Sequence, residues 1–294
     1  MLHISITHQL YNCKIVVELN TMIGSLQITV PAGCMNDCPF CVYRQHATRF
    51  RTTWQSNHAR WSREIERRIR YAASRVAAIM ITSHGEPTIN INYIRDIMKI
   101  INRVAPELTH VEIQTSGVGV DDEKLDSLYE AGIRVISLSV PALHEEDILR
   151  IMKVPSKKNY RPLELVSKIR EKGFVLRLSI AMTDWFDDYD LEYVMALLVK
   201  DWKPDQASFK KLYGADEIAT KNYDNLLEDF KKVTRYRKLE LLALGAWKYD
   251  ADGIGIVWND DCMVADEGEE PRYLILQPDG RLYTRWDTKG SVIF

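Results

Sequence analysis

The stretch Gly33-Cys34-Met35-Asn36-Asp37-Cys38-Pro39-Phe40-Cys41 gathers three of the chain's five cysteines into eight residues, directly after an apolar strand-like run at 26–30. Three residues separate Cys34 from Cys38 and two separate Cys38 from Cys41, with a flexible glycine ahead of the run and a proline inside it. Thiols at this spacing can wrap one small inorganic group. A 4Fe-4S cluster normally takes four thiolates, so three clustered cysteines leave one iron without a local protein ligand, open to a substrate or cofactor. A structural zinc site needs a fourth ligand nearby, for which His46 is the candidate. A disulfide framework fits badly, since the cysteine count is odd and nothing marks the chain as secreted.

At 294 residues the chain fits one large barrel-type domain, or such a domain with a small extension. Its hydrophobic share of 46% and charged share of 27% are ordinary for a globular protein, and a net charge of -2 gives no overall attraction to polyanions. No apolar run approaches the roughly 18 residues a membrane span requires, and the amino terminus lacks a basic segment followed by an apolar one. The expectation is a cytoplasmic protein without a membrane partner, in a compartment where thiols stay reduced.

Working outward from the cysteines, residues 1–23 read as a short β segment or cap, in which Cys13 is a small buried hydrophobe. Between Arg44 and Arg75 stand nine arginines, no lysine and two glutamates, with Tyr43, Trp54, Trp61 and Tyr71 interleaved. Trp61, Ile65, Ile69, Ala72 and Val76 recur at helical spacing, so the arginines among them read as a solvated helix face. Arg44, Arg49 and Arg51 leave the cysteine loop before that helix. They are the candidates for a phosphate or carboxylate on a substrate.

From residue 77 a strand-loop-helix unit repeats. Strands are expected at 77–82, 110–115, 135–140, 174–182 and 206–212, after the first at 26–30, with helices between them stopped by Gly132 and Gly173. A helix is expected over about 188–200 and another over 223–233. Strands alternating with helices imply right-handed crossovers and a parallel sheet. The fold class is therefore α/β, a partial (β/α)6 TIM-like barrel over 24–215, followed over 216–294 by a helix and a β-rich extension with a hairpin at Pro278-Asp279-Gly280. In such barrels chemistry sits at the C-terminal strand ends. The cysteines, Ser83-His84-Gly85-Glu86-Pro87, Thr115-Ser116-Gly117 and the strand ending at Pro141 all fall there.

The cysteine run, with an aromatic residue just before its last member, resembles the signature of radical S-adenosylmethionine (SAM) enzymes, and the strand pattern over 24–215 resembles their core, of the type seen in molybdenum-cofactor-synthesis members. The resemblance implies one 4Fe-4S cluster on Cys34, Cys38 and Cys41 whose fourth iron chelates SAM. An electron from the reduced cluster then cleaves SAM to methionine and a 5'-deoxyadenosyl radical, which abstracts hydrogen from a substrate. It also implies an external electron donor such as flavodoxin or ferredoxin. Gly85-Glu86-Pro87 matches the family segment that hydrogen-bonds the SAM amino group, with His84 where a first glycine is usual. Phe40 is expected near the adenine, and Thr115 at a position that touches substrate.

Ser137 and Ser139 share one face of the fourth strand, and Arg177 and Ser179 one face of the fifth, because side chains alternate along a strand. Facing the barrel interior they are candidate SAM contacts. A lone arginine among apolar neighbours needs an anionic partner, which cofactor or substrate can supply. Lys210 or Lys211 is a substrate-binding candidate, the other a solvated charge. Cys262, in the polar turn Asn259-Asp260-Asp261-Cys262-Met263, is either structural or a catalytic hydrogen-atom donor or substrate contact.

Three functions compete. The first is radical SAM chemistry on an anionic substrate, a small-molecule nucleotide or a nucleic-acid base. The second is the same chemistry on a peptide or amino acid, and the third a non-catalytic iron-sulfur or zinc protein.

Overall fold

The computed structural model describes residues 23–45, 50–55, 59–212, 214–242, 245–260, 271–286 and 290–293. The six expected strands form in chain order: β1 (Ile23–Val30), β2 (Val76–Ser83), β3 (Val111–Thr115), β4 (Val135–Val140), β5 (Val175–Ala181) and β6 (Gln206–Lys210). Each pairs in parallel with the next. Helices connect them: α1 (Val42–Gln45) and α2 (Ala59–Ala73), α3 (Ile91–Val104), α4 (Asp122–Glu130), α5 (Glu145–Ile151) and α6 (Pro162–Glu171), then α7 (Leu191–Leu197) before β6 and α8 (Tyr223–Lys232) after it.

Side-chain alternation decides which face of this sheet does what. Leu26, Ile28 and Val30 of β1, Ile79 and Ile81 of β2, Ile113 of β3 and Leu176, Leu178 and Ile180 of β5 have no exposed surface and pack with the helices. The residues between them, among them Gln27, Thr82, Gln114, Ser139, Arg177 and Ser179, line a cavity on the other face. Parallel strands are commonly apolar on both faces. Here the cavity face carries most of the sheet's polar side chains, set among smaller apolar ones such as Ala78 and Met80.

The helices start where their capping residues dictate. Asn90, Asp121 and Asp190 accept hydrogen bonds from the backbone N–H groups of Tyr93 (3.2 Å), Lys124 (2.9 Å) and Tyr193 (2.8 Å). The Asp190 cap sets the start of α7 at Leu191, later than the expected 188, and the helix then widens into a π-helical turn, Leu198–Trp202. On α2, Trp61, Ile65, Ile69 and Ala72 are buried, Arg60, Arg63, Arg67 and Arg70 are exposed, and Arg68 is half-buried. Arg60 pairs with Glu64, and Arg70 and Arg103 both pair with Glu66, as a solvated face does.

The C-terminal part extends the sheet rather than capping it. β7 (Arg237–Leu241), β8 (Trp247–Ala251) and β9 (Ile254–Asn259) form an antiparallel meander whose last strand adds parallel to β6. β10 (Tyr273–Leu276) adds parallel to β1, and β11 (Leu282–Tyr283) returns antiparallel across the expected turn, where Gly280 takes φ +78°. Among the described residues the sheet has eleven strands in the order β11-β10-β1-β2-β3-β4-β5-β6-β9-β8-β7 and is not closed. The expectations for residues 1–22, including Cys13, lie outside the described residues. No described helix is long and apolar enough to cross a membrane.

β9 is held to the barrel by aromatic packing. Phe209 of β6 stacks on Trp258 of β9, with centroids 4.3 Å apart and planes at 12°, and has no exposed surface. Phe209→Ala is expected to cost about 3–5 kcal/mol, read by urea unfolding. A near-neutral result would mean that β9 is held by its ladder alone.

Candidate active site

The cysteine loop leaves β1 and is fastened on two sides. On one side the Glu86 backbone N–H donates to the Gly33 carbonyl (2.8 Å), Asn90 Nδ2 to the Pro31 carbonyl (3.0 Å) and Ser83 Oγ to the Val30 carbonyl (2.8 Å). Gly85 makes this approach possible. A Cβ there would lie 2.2 Å from the Gly33 carbonyl oxygen and 2.7 Å from that of Ala32. On the other side the Asp37 N–H donates to the Met152 carbonyl (3.1 Å), just past α5, and Lys153 pairs with Asp37 at 3.4 Å.

Cys34 is exposed, Cys38 and Cys41 are half-buried, and all three thiols are free and line the same cavity. Burial pushes the Cys38 thiol up to about 12, and the neighbouring Cys34 and Cys41 push it the same way. Cys34 is raised by burial first, then by Glu86 and Cys41 after partial relief from a backbone N–H. Thiols that hinder one another's ionisation need a cationic centre to become ligands. No three His, Cys, Asp or Glu side chains among the described residues converge as ligands of a single ion. Three thiols along one loop suit the corners of a cluster instead. His46, the fourth ligand of a zinc reading, lies outside the described residues.

The Glu86 carboxylate, in the segment expected to meet the SAM amino group, is 2% exposed and accepts five hydrogen bonds from its own chain. Thr88 N (3.1 Å), Thr88 Oγ1 (2.7 Å) and Thr115 Oγ1 (2.6 Å) donate to Oε1, and Ser116 N (2.8 Å) and Oγ (2.6 Å) to Oε2. Five donors use up the roughly four lone-pair directions of a carboxylate. Glu86 therefore ties the end of β2 to the end of β3. Thr115, expected on a substrate, spends its hydroxyl there.

The cavity encloses about 1000 Å³ over the polar face of the sheet. Gly85, Glu86, Phe40, Ser139, Ser179, Thr115, Arg177 and Lys210 line it with the cysteines. Ser137 is buried at 2% exposure beside Arg177 in the ladder. Arg177 does not wait for a ligand's anion: its Nη1 lies 2.8 Å from Glu112 Oε2. Burial alone would raise Glu112, but His110, the Arg177 guanidinium and the charge of Lys210 reverse this and hold it down at about 2. Lys211 points away to Asp224 at 3.3 Å, leaving Lys210 as the lysine on the cavity.

Sequence reasoning missed Glu112 and Gln114, whose amide nitrogen lies 3.5 Å from both Ser139 Oγ and Ser179 Oγ. The signal was present in Val111-Glu112-Ile113-Gln114-Thr115, where polar residues alternate with apolar ones. It missed an aromatic group as well: His84 stacks on Tyr43 (4.7 Å, 12°) and Phe50 (5.4 Å, 29°). Arg44 lies on α1, directly after the loop. Arg49 and Cys262 lie outside the described residues.

The family model of the Radical SAM superfamily matches residues 28–195. Among solved structures, SuiB of Streptococcus suis bound to S-adenosylmethionine matches with TM-score 0.60 and 15% identity, over 90% of this chain and 60% of that one. SuiB bound to its precursor peptide SuiA gives 0.59 and 16% over the same shares. Native anSMEcpe with bound AdoMet gives 0.57 and 13%, over 88% of this chain and 74% of that one. The chain thus spans about three fifths of the length of SuiB, and likenesses at these identities are of fold. No curated protein matches the sequence.

Two variants test this geometry. Gly85→Ala should push the cysteine loop away, so that iron and sulfide bound per chain fall to background while far-UV circular dichroism is kept. Arg177→Met should cost about 3 kcal/mol at neutral pH by stranding the Glu112 carboxylate, and Glu112→Leu added to it should restore most of that. Because Glu112 is depressed from 4.5 to about 2, its contribution is complete above pH 4.5 and lost as pH falls through 2. The double variant should lack that acid limb in urea titrations.

Proposed function

The chain belongs to the radical SAM superfamily, whose model matches more than half of its 294 residues, and on that premise we propose that Cys34, Cys38 and Cys41 hold its 4Fe-4S cluster at the mouth of the polar cavity. It is an enzyme that uses SAM and this cluster. When bound, the cluster supplies the electron that cleaves SAM to methionine and a 5'-deoxyadenosyl radical, which takes hydrogen from the substrate. One observation carries the assignment: the Glu86 N–H to Gly33 carbonyl bond joins a loop of three free thiols to the rim of a cavity lined by hydroxyls and amides.

The chain's own residues bind and orient. Gly85 lets the thiol loop seat. Glu86 spends its carboxylate on the strand ends and leaves its charge, with nearby backbone carbonyls, to face the SAM ammonium. Ser139 and Ser179, bridged by Gln114, offer hydroxyls to the ribose or the methionine carboxylate, with Ser137 below them. Phe40 covers the adenine. Arg177, neutralised by Glu112, stiffens the cavity floor, and Lys210 meets the negative charge of the substrate, a role that the sequence alone also gives to Arg44 and Arg49. An external donor such as flavodoxin or ferredoxin reduces the cluster, a role that the exposure of Cys34 supports. The substrate is a nucleotide or a nucleic-acid base. A peptide is the second reading, favoured by the fold shared with SuiB bound to SuiA and with anSMEcpe bound to Cp18Cys peptide.

The test is anaerobic. The protein is loaded with iron and sulfide, reduced with dithionite and given SAM, and 5'-deoxyadenosine is read by mass spectrometry. Wild type should form it. Cys38→Ala should lose both the cluster absorbance and the product, and an intact cluster in that variant would overturn the ligand assignment.

A further inference from the structure

The bay between β1 and β10 plays no part in the assignments above, yet it holds buried polar groups without partners. Tyr273 and Gln277 line the cavity from the β10 side, as Ser25 and Gln27 do from β1. The ladder pairs Ser25 with Tyr273 and Gln27 with Ile275, so its continuation sets Thr29 beside Gln277. Both are fully buried at 0% exposure. Neither amide atom of Gln277 nor the Thr29 hydroxyl has a hydrogen-bond partner. Buried side-chain polar groups in native proteins are nearly always satisfied, so an unpartnered planar donor-acceptor pair on a cavity-lining residue, with the Thr29 hydroxyl behind it, points to a ligand there.

The walls of the bay are rings. His84 follows β2 and stacks on Tyr43 and Phe50, while Trp286 tilts against His84 at 6.4 Å and Phe50 meets Tyr283 edge-on at 5.7 Å. Tyr43, Phe50, His84 and Trp286 are half-buried and line the same cavity as Gln277. The segment carrying Phe50 is fixed over the hairpin, with the Thr53 N–H donating to the Pro278 carbonyl at 2.9 Å. A flat ring can extend this stack, and base-on-aromatic stacking tolerates any base. A glutamine amide offers one donor and one acceptor in a plane, the pattern that pairs bidentately with a base edge.

We propose that this bay, formed by Gln277, Thr29 and the ring stack of Tyr43, His84, Phe50 and Trp286, is the subsite for the nucleobase of the substrate. The proposal deepens the nucleotide reading and rests on the cavity being the substrate site. SAM runs from Ser139 and Ser179 of β4 and β5 to Glu86 at the end of β2, whereas Gln277 lies beyond β1 on the β10 side. The base and SAM therefore bind together, and selectivity comes from the amide edge rather than from charge.

The experiment uses the cluster-loaded protein, saturated with SAM and without reductant, so that no turnover occurs. Equilibrium dialysis compares the monophosphates of adenosine, guanosine, cytidine and uridine with ribose 5-phosphate, which has the charge and no base. At least one nucleotide should bind about tenfold or more tightly than ribose 5-phosphate, and Gln277→Leu should remove about tenfold of that preference while leaving ribose 5-phosphate binding as it was. Trp286→Ala, at a half-buried ring, should weaken the same nucleotide and serves if Gln277→Leu does not fold. Equal binding of all five probes would overturn the proposal, as would displacement of the nucleotide by SAM. A stronger preference for an acetylated dipeptide amide would overturn it in favour of a peptide. The reaction class is judged separately: 5'-deoxyadenosine from wild type without any nucleotide preference sinks the subsite alone, and nucleotide preference without SAM cleavage sinks the reaction class alone.

Discussion

The architecture of the site depends on a backbone contact that only glycine permits. With Gly85 lacking a side chain, the loop after β2 lies against the loop after β1 closely enough for the Glu86 N–H to reach the Gly33 carbonyl at 2.8 Å. Glu86 then turns its carboxylate the other way, onto donors from the ends of β2 and β3. Three strand ends are thereby locked by one residue, backbone on one side and side chain on the other. The thiol loop inherits its position from that lock. A buried carboxylate with every lone pair engaged is rigid because losing any one donor leaves a charge short of partners in a poor solvent for it.

The second determinant is the division of the sheet into a dry face and a wet one. The apolar side packs with the helices, while the other side carries glutamine, serine, threonine, glutamate, arginine and lysine interspersed with small and apolar residues such as Ala78, Met80 and Ala181. Such groups are tolerated because they satisfy one another. Arg177 answers Glu112 near the floor, and Gln114 lies between Ser139 and Ser179 above it. The departures from this economy, Thr29, Ser208 and Gln277, are therefore informative.

Much of this was legible before any coordinates. The thiol spacing, the Gly85-Glu86-Pro87 motif and six strand-helix units pointed to the fold class, because each rests on local pattern: loop chemistry, alternation, capping. The partners were not legible. Nothing in the letters tells Arg177 that Glu112, two strands away in the sheet, is its anion, or that Thr115 belongs to Glu86. Register decides those contacts, and register is a tertiary property. β7 escaped for a different reason, since Arg237-Lys238-Leu239-Glu240-Leu241 is exposed throughout and has no buried face to impose a pattern. His84 looked like a lapse in a motif and is instead the centre of a ring stack.

The pairing of β10 with β1 bears on the order in which the walls of the site close. Ser25 pairs with Tyr273, so the strand that leads into the cysteine loop stays an open edge until a segment far along the chain has docked. Contacts so distant in sequence form late and slowly. The β2 side of the loop, made by contacts nearer in sequence, can set before the β10 side of the cavity, where Tyr273 and Gln277 complete the wall that the thiols share.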